Sequence, residues 1–250
     1  MIELIGISAG YGKQAVLDGV AAKLKKGRLT SVIGVNGCGK STLLKATLGI
    51  LPISCGTVKI DGQDLGSMKR IEIAKKIAYL SQGKNAPDMT VEQMVLHGRF
   101  PYLSYPRRYR ESDRAKAREA MEAVGLSQLA DKPLSALSGG IRQTAYIAMA
   151  LAQNTDYILL DEPTTYLDIS HQIEIMSLLR RLADNGKGIV TVMHDLPMAF
   201  DFSDEILVID NGRTKIQSNP GDVCATSAIK EVFNVQLERL ADKKYRYAGI

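Results

Sequence analysis

No apolar run in the 250-residue sequence is long enough to cross a bilayer: the longest, Ala145 to Ala152 and Ile189 to Met193, fall far short of the roughly 18–20 residues a span requires. The first residues, Met1-Ile2-Glu3-Leu4, lack the basic start and apolar core of a secretion signal, so the chain is expected to stay in the cytosol. Cysteine is scarce. The three present, Cys38, Cys55 and Cys224, are odd in number and scattered, which excludes a disulfide framework and the paired spacing of a zinc site. Tandem repeats and low-complexity linkers are absent as well, pointing to one compact unit. The net charge of +5 is modest and compatible with an anionic nucleotide, a membrane surface or nucleic acid without choosing among them. The length suffices to bury a full core, as one large domain or a domain with an inserted lobe.

What is present is a phosphate cradle. Gly34-Val35-Asn36-Gly37-Cys38-Gly39-Lys40-Ser41-Thr42 has the spacing Gly, four residues, Gly-Lys-Ser/Thr and directly follows the apolar stretch Leu29 to Val35. Glycines let the backbone bend its N–H groups around phosphate oxygens, and the helix that starts there presents its positive end to them. Lys40 would reach the terminal phosphates and Ser41 would ligate magnesium. The pattern predicts binding of a nucleoside triphosphate.

Three apolar runs of strand length each end in a polar residue suited to phosphate chemistry: Leu29 to Val35 before the cradle, Asp156 to Leu160 before Asp161-Glu162, and Gly188 to Met193 before His194. A buried parallel sheet delivers groups to its carboxyl edge in this way. The N-terminal residues and Thr57 to Gly62 alternate or carry turn residues, predicting an antiparallel sheet. A late hairpin is expected where Ile206 to Ile209 and Thr214 to Ile216 flank Asn211-Gly212. Between about Gly83 and Asn154 the composition turns helical over Val91 to Leu96, Glu111 to Val124 and Ile141 to Ala152, broken by Pro87, Pro101, Pro106 and Pro133. This reads as a helical lobe inserted between sheet strands. Beyond about Pro220, only Ile229 to Val232 hints at structure, a short helix.

Adjacent carboxylates at a strand end can split roles, with Asp161 in a magnesium shell and Glu162 polarising the attacking water as general base. Leu137-Ser138-Gly139-Gly140-Ile141-Arg142-Gln143 precedes an apolar helix, so Ser138 can cap it while the glycines leave N–H groups open to a second anion. Taken alone, that string is equally an ordinary cap with flexible glycines.

In this order, and over nearly the whole length, the motifs resemble those of ATP-binding cassette ATPases. Gly34 to Thr42 is similar to the family's Walker A, Gln82 to the Q-loop, Leu137 to Gln143 to the signature, Tyr157 to Glu162 to Walker B, Leu167-Asp168 to the D-loop and His194 to the switch histidine. Tyr11 is similar to the aromatic that stacks on adenine. The resemblance implies an α/β fold: a P-loop NTPase (RecA-like) core with an antiparallel β subdomain and an inserted α-helical subdomain. It divides the single domain into core and β subdomain over 1–82 and 155–220, helical subdomain over 83–154 and tail over 221–250. It further implies ATP and Mg2+ as ligands, with Glu162, His194 and Gln82 catalytic and Ser41, Gln82 and Asp161 around the metal. Nucleotide contacts would come from Tyr11, Gly34, Asn36, Gly37, Cys38, Gly39, Lys40, Ser41, Thr42, Ser138, Gly139, Gly140, Gln143 and Asp168. Two copies would meet head to tail with ATP between one Walker A and the other signature.

The absence of spanning helices then implies separate transmembrane permease subunits and, indirectly, an extracellular or periplasmic substrate-binding protein, with this chain peripheral on the cytoplasmic side and no nucleic acid involved. His97 to Tyr102, Pro163 to Asp168 and His194-Asp195-Leu196 with Ala199 are similar to ATPases of the iron-chelate, haem and cobalamin uptake group, some relatives of which carry molybdate. A soluble ABC ATPase acting on nucleic acid or ribosomes is the alternative, and a small-molecule kinase a third that leaves 137–143 unexplained. Two positions depart from the commonest pattern: Ile141 replaces a Gln or Glu, and Cys38 occupies a cradle position where Ser or Ala is frequent, either as a small tolerated side chain or as a thiol that a helix N-terminus would make readier to ionise and react. The stretch from Arg99 to Arg110 interleaves aromatics and arginines as a loop, either a docking surface for a permease coupling helix, a solvated loop, or a nucleic-acid surface.

Overall fold

The computed structural model describes residues 1–12, 14–81, 87–242 and 244–248. The strands are β1 Ile2–Tyr11, β2 Gln14–Leu24, β3 Leu29–Ile33, β4 Ile53–Ile60, β5 Gln63–Asp64, β6 Ile77–Leu80, β7 Tyr157–Asp161, β8 Gly188–Val192, β9 Glu205–Asp210, β10 Arg213–Ser218, β11 Leu237–Arg239 and β12 Tyr245–Tyr247. The α-helices are α1 Lys40–Thr47, α2 Arg70–Lys76, α3 Val91–His97, α4 Glu111–Ala123, α5 Gly139–Ala152, α6 Ile169–Asp184, α7 Leu196–Phe202, α8 Pro220–Ala225 and α9 Ala228–Phe233. The architecture is the expected α/β one with an antiparallel β subdomain and a group of helices.

The central sheet has the order β10-β9-β3-β8-β7-β6. From β9 to β6 every pairing is parallel, and β10 closes one edge antiparallel. All five residues of β3, of β7 and of β8 are buried. That is why their sequences are largely apolar and do not alternate: both faces of the sheet are covered. The edge hairpin turns at Asn211 and Gly212 with φ of 46° and 74°, the paired left-handed residues that Asn-Gly supplies at low cost.

A second sheet, β2-β1-β4-β5, is antiparallel. Its inward residues Ile2, Leu4, Ile7, Leu17, Val20 and Val58 share a core with Leu43 and Leu44 of α1 and Leu159 and Val190 of the central sheet. Each such Leu or Ile contributes about 1.5–3 kcal/mol relative to exposure, so α1 is fixed where β3 hands over to it. On the other face, α6 and α7 pack through Ile175, Met176, Leu179 and Phe200. The C-terminal segment completes this face. The Tyr245 ring meets Phe200 edge-on at 5.1 Å, and its backbone N–H donates to Asp201 Oδ1 at 2.8 Å.

Helices α3, α4 and α5 enclose a third core around Val91, Val95, Met121 and Ala148. α3 begins with a reciprocal cap: the Gln93 N–H donates to Thr90 Oγ1 at 3.3 Å and the Thr90 N–H to Gln93 Oε1 at 2.9 Å. Arg99, at the start of the aromatic and basic stretch, corrects the sequence reading of that stretch as surface. It is 9% exposed, pairs with Asp113 at 3.1 Å and donates to the Ala152 carbonyl at 2.8 Å, capping the end of α5. Arg107 and Arg108 are exposed, and Tyr105 is 96% exposed.

Candidate active site

The carboxyl edge of the central sheet gathers the candidate groups. The segment from Gly34 to Gly39 joins β3 to α1, with Gly39 at the helix N-cap in a left-handed conformation (φ 108°) that a side chain resists. Lys40 is 6% exposed, and its ammonium donates to the carbonyls of Gly34 (2.8 Å) and Val35 (3.1 Å), so the loop folds around its own cation. Asn36, Gly37, Gly39 to Thr42, Val16 and Glu162 bound a hollow of about 170 Å3. A larger hollow of about 630 Å3 between the β1–β2 and β9–β10 hairpins is lined by the ion pairs Lys25–Glu205 at 2.6 Å and Arg28–Asp204 at 3.1 Å, with Glu3 and Lys23.

Beside the loop, Ser41 Oγ donates to Asp161 Oδ1 at 2.9 Å and Tyr79 OH to Oδ2 at 3.4 Å. Burial raises the Asp161 carboxyl pKa, opposed by the Ser41 bond and assisted by the neighbouring Glu162 charge. Glu162 follows β7 with φ 54°, a left-handed backbone that costs on the order of 1–3 kcal/mol. Two contacts hold it there. His194 Nε2 lies 2.6 Å from Oε1, and Thr165 Oγ1 donates to Oε2 at 3.1 Å. Burial works to raise the Glu162 pKa, but the His194 bond and charge, with Thr165, outweigh it and hold the carboxyl below its ordinary range. Glu162 is therefore ionised at neutral pH.

Tyr11 ends β1, 49% exposed, with the Lys45 ammonium 6.0 Å over its ring. Asp168 caps α6, accepting from the His171 N–H at 3.0 Å and from Ser170 Oγ at 2.7 Å. Ser138 caps α5, accepting from the Ile141 N–H at 3.4 Å. That helix starts two residues earlier than the sequence suggested, so Gly139 and Gly140 form its first turn and Gln143 lies half-buried one turn in. The first-turn N–H groups have no intrahelical partner. Among the described residues, none from 138 to 143 lines the hollow at Lys40; Gly139 and Gly140 lie against Leu167 and His171 instead. Gln82 lies outside the described residues.

Of the two readings of Cys38, the structure agrees with the small tolerated side chain. It is 5% exposed, and burial raises its thiol pKa despite the opposing Lys40 charge, so it is not an activated thiolate. Sequence reasoning missed three residues. Thr165 and His171 each stand three places after the carboxylate they bond, a spacing that signals a local turn or cap. Tyr79 reaches Asp161 only through the β6–β7 pairing, which no local signal foretells.

A family model described as ABC transporter matches residues 17–165. The chain is 40% identical over 238 residues to the achromobactin transport ATP-binding protein CbrD of Dickeya dadantii (strain 3937), covering 94% of this chain and 88% of that one. It is also 40% identical over 244 residues to the iron(3+)-hydroxamate import ATP-binding protein FhuC of Bacillus subtilis (strain 168), covering 97% and 90%. Among solved structures, a metal-chelate type ABC transporter in an inward-facing conformation superposes with a TM-score of 0.85 at 25% identity, over 100% of this chain and 97% of that one. With half the chain inside the family model and relatives matched nearly end to end, the chain belongs to the ABC transporter family.

Proposed function

We propose that the chain is the ATP-binding and ATP-hydrolysing subunit of an importer for a metal chelate, an iron–siderophore or related species. It works as a head-to-tail pair against separate permease subunits on the cytoplasmic side of the membrane. The observation that carries this reading is the meeting, at one sheet edge, of groups far apart in the chain: Ser41 with Asp161, and Glu162 with His194. The relatives are named for transport and import, which favours this reading over action on nucleic acid. Among the described residues no helix is long and apolar enough to cross a membrane, so passage of the cargo falls to other subunits.

The donor set fits Mg2+. Ser41 and Asp161 place two hard oxygens 2.9 Å apart beside the phosphate loop, and magnesium takes one or two protein oxygens with substrate phosphates rather than a full protein cage. When bound, it would neutralise charge on the β- and γ-phosphates. Lys40 would exchange its loop carbonyls for phosphate oxygens, and Tyr11 would stack on the adenine. Glu162, ionised, would orient a water toward the γ-phosphorus and take its proton as the oxygen–phosphorus bond forms and the bond to the departing ADP breaks. His194 holds that carboxylate and would bond the γ-phosphate. Gln82 would complete the magnesium shell.

The signature turn, Ser138 to Gly140, shares no wall with the Lys40 hollow, so its open N–H groups would serve a nucleotide bound by a second copy. ATP would then hold two subunits together, and hydrolysis would release them. The test is the Glu162→Gln protein in light scattering. It should be monomeric with ADP and dimeric at saturating Mg·ATP, and should co-purify with membranes containing its permease. A strictly monomeric variant under those conditions would refute the reading.

A further inference from the structure

His171 stands between two motifs that the nucleotide site is read to need. On one side its ring nitrogen Nδ1 is 2.8 and 2.9 Å from the two Asp168 carboxylate oxygens, while its backbone N–H donates to Oδ1. Both the neutral ring protonated at Nδ1 and the imidazolium donate there, so the contact survives a change of charge. The Asp168 side chain is 65% exposed. An ion pair so open to water contributes little stability, so its effect is on where the ring sits.

On the other side lies the signature turn. Gly140 has no positive φ, so its backbone would accept any residue. What forbids a side chain is His171: a Cβ at position 140 would fall 2.3 Å from the ring's Cδ2 and 2.6 Å from Cγ. The adjacent Gly139 is less confined, since a Cβ there would meet Leu167 Cδ2 at 3.6 Å, an ordinary contact. Of the two glycines, one is required by packing, and the packing partner is the first turn of α6.

We propose that His171 is a positioning residue for ATP hydrolysis: anchored by Asp168, its ring is a strut that fixes the distance between the D-loop and the signature turn of its own subunit. The two motifs then approach the partner's nucleotide as one body. Gly140 is glycine to admit that ring. This inference rests on the proposed role of residues 138–140 and adds a residue that the motif pattern does not include.

Steady-state ATPase kinetics of the full chain test it with Gly140→Ala, His171→Ala, the double variant and His171→Asn. His171→Ala should lower kcat about three- to tenfold with the KM for ATP moved less than about twofold, the split expected when alignment rather than nucleotide binding is lost. Gly140→Ala should lose about fiftyfold or more, and the double variant should regain at least about fivefold over it, returning toward the His171→Ala rate, because the side chain that collides with the new methyl is gone. His171→Asn, which keeps a donor for Asp168, should run at least about threefold faster than His171→Ala. A double variant no faster than Gly140→Ala overturns the strut. If Gly140→Ala does not fold, equal rates for His171→Ala and His171→Asn overturn it instead. A Gly140→Ala protein with wild-type kcat would sink the signature reading itself, an outcome distinct from failure of the strut alone.

Discussion

Replacing Arg99 by alanine tests whether the helical lobe is locked from inside. The guanidinium pairs with Asp113 where the two side chains are 11% and 8% exposed, and it donates to the Ala152 carbonyl at the end of α5. Removing one partner of a buried pair costs about 3–5 kcal/mol because the remaining charge is stranded. Losing the carbonyl bond adds about 1 kcal/mol. Against this, Asp113 accepts the Arg110 N–H at 3.0 Å at the N-terminus of α4, where the helix dipole offsets about 1 kcal/mol of an anion's cost. The sum is a loss of at least about 3 kcal/mol, a large share of a domain's typical 5–15 kcal/mol. With a urea slope of about 3 kcal/mol per molar for a chain this long, the midpoint should fall by roughly 1 M. Arg99→Ala/Asp113→Asn should recover part of that, since the amide leaves no buried charge. A single-variant shift below roughly 0.3 M, or a double variant no more stable than the single, would show that the pair is not the lock described.

Arg107 and Arg108 carry the opposite expectation. Both are exposed, Arg107 lying over the Phe100 ring at 4.6 Å, so the double alanine variant should keep its urea midpoint within about 0.3 M while membrane co-purification weakens; unchanged co-purification counts against docking there. Asp61 is a pH-dependent anchor. Burial works to raise its pKa, but bonds from the N-terminal ammonium, the Tyr157 hydroxyl and Lys26 hold it down at about 2. A carboxyl depressed on folding stabilises above its unfolded pKa of about 4 and loses that contribution as pH falls toward 2. Discounted for its partial exposure, the contribution is about 1–2 kcal/mol, so Asp61→Asn should be destabilised at pH 6 by that amount and match wild type near pH 2; an equal gap at both pH values would contradict the assignment. N-ethylmaleimide at neutral pH should label exposed Cys55 well before buried Cys38, as read by peptide mass mapping, and equal rates would show that the Walker A thiol is not shielded as described.

The parallel strands and their terminal groups are legible in the amino-acid sequence because one physical fact writes both. A strand buried on two faces is largely apolar, with only small hydroxyl residues such as Thr30, Ser31 and Thr191 inside it, so the charged and titratable groups where β3, β7 and β8 end stand out at the sheet's carboxyl edge. The Asn211-Gly212 turn is legible for a similar reason, a backbone shape few residues tolerate. Contacts that depend on tertiary placement leave no such trace. Arg99 sits in a run of exposed arginines and aromatics and differs from them only because Asp113 and Ala152 come to it. Cys38 has the motif position of an activated thiol, yet the desolvation of the folded loop raises its pKa.

The tail shows the same limit and adds a consequence. Its sequence pattern offers one short helix, but its last strand packs through Tyr245 on Phe200 and bonds Asp201, both on α7, the helix that begins two residues after His194. His194 is in turn bonded to Glu162. A histidine that holds the carboxylate in its left-handed turn must itself be held, and its side chain is 42% exposed, with little core of its own to fix it. α7 supplies that support through Leu196, Ala199 and Phe200, buried against the sheet face that the tail also covers. Position in this site is therefore set in layers: the sheet aims the backbone, the capped helices hold the loops, and segments without recognisable motifs press on those helices from outside. Motif residues are legible because their chemistry is fixed; the supporting residues need only fill space at a given place, and many sequences can do that.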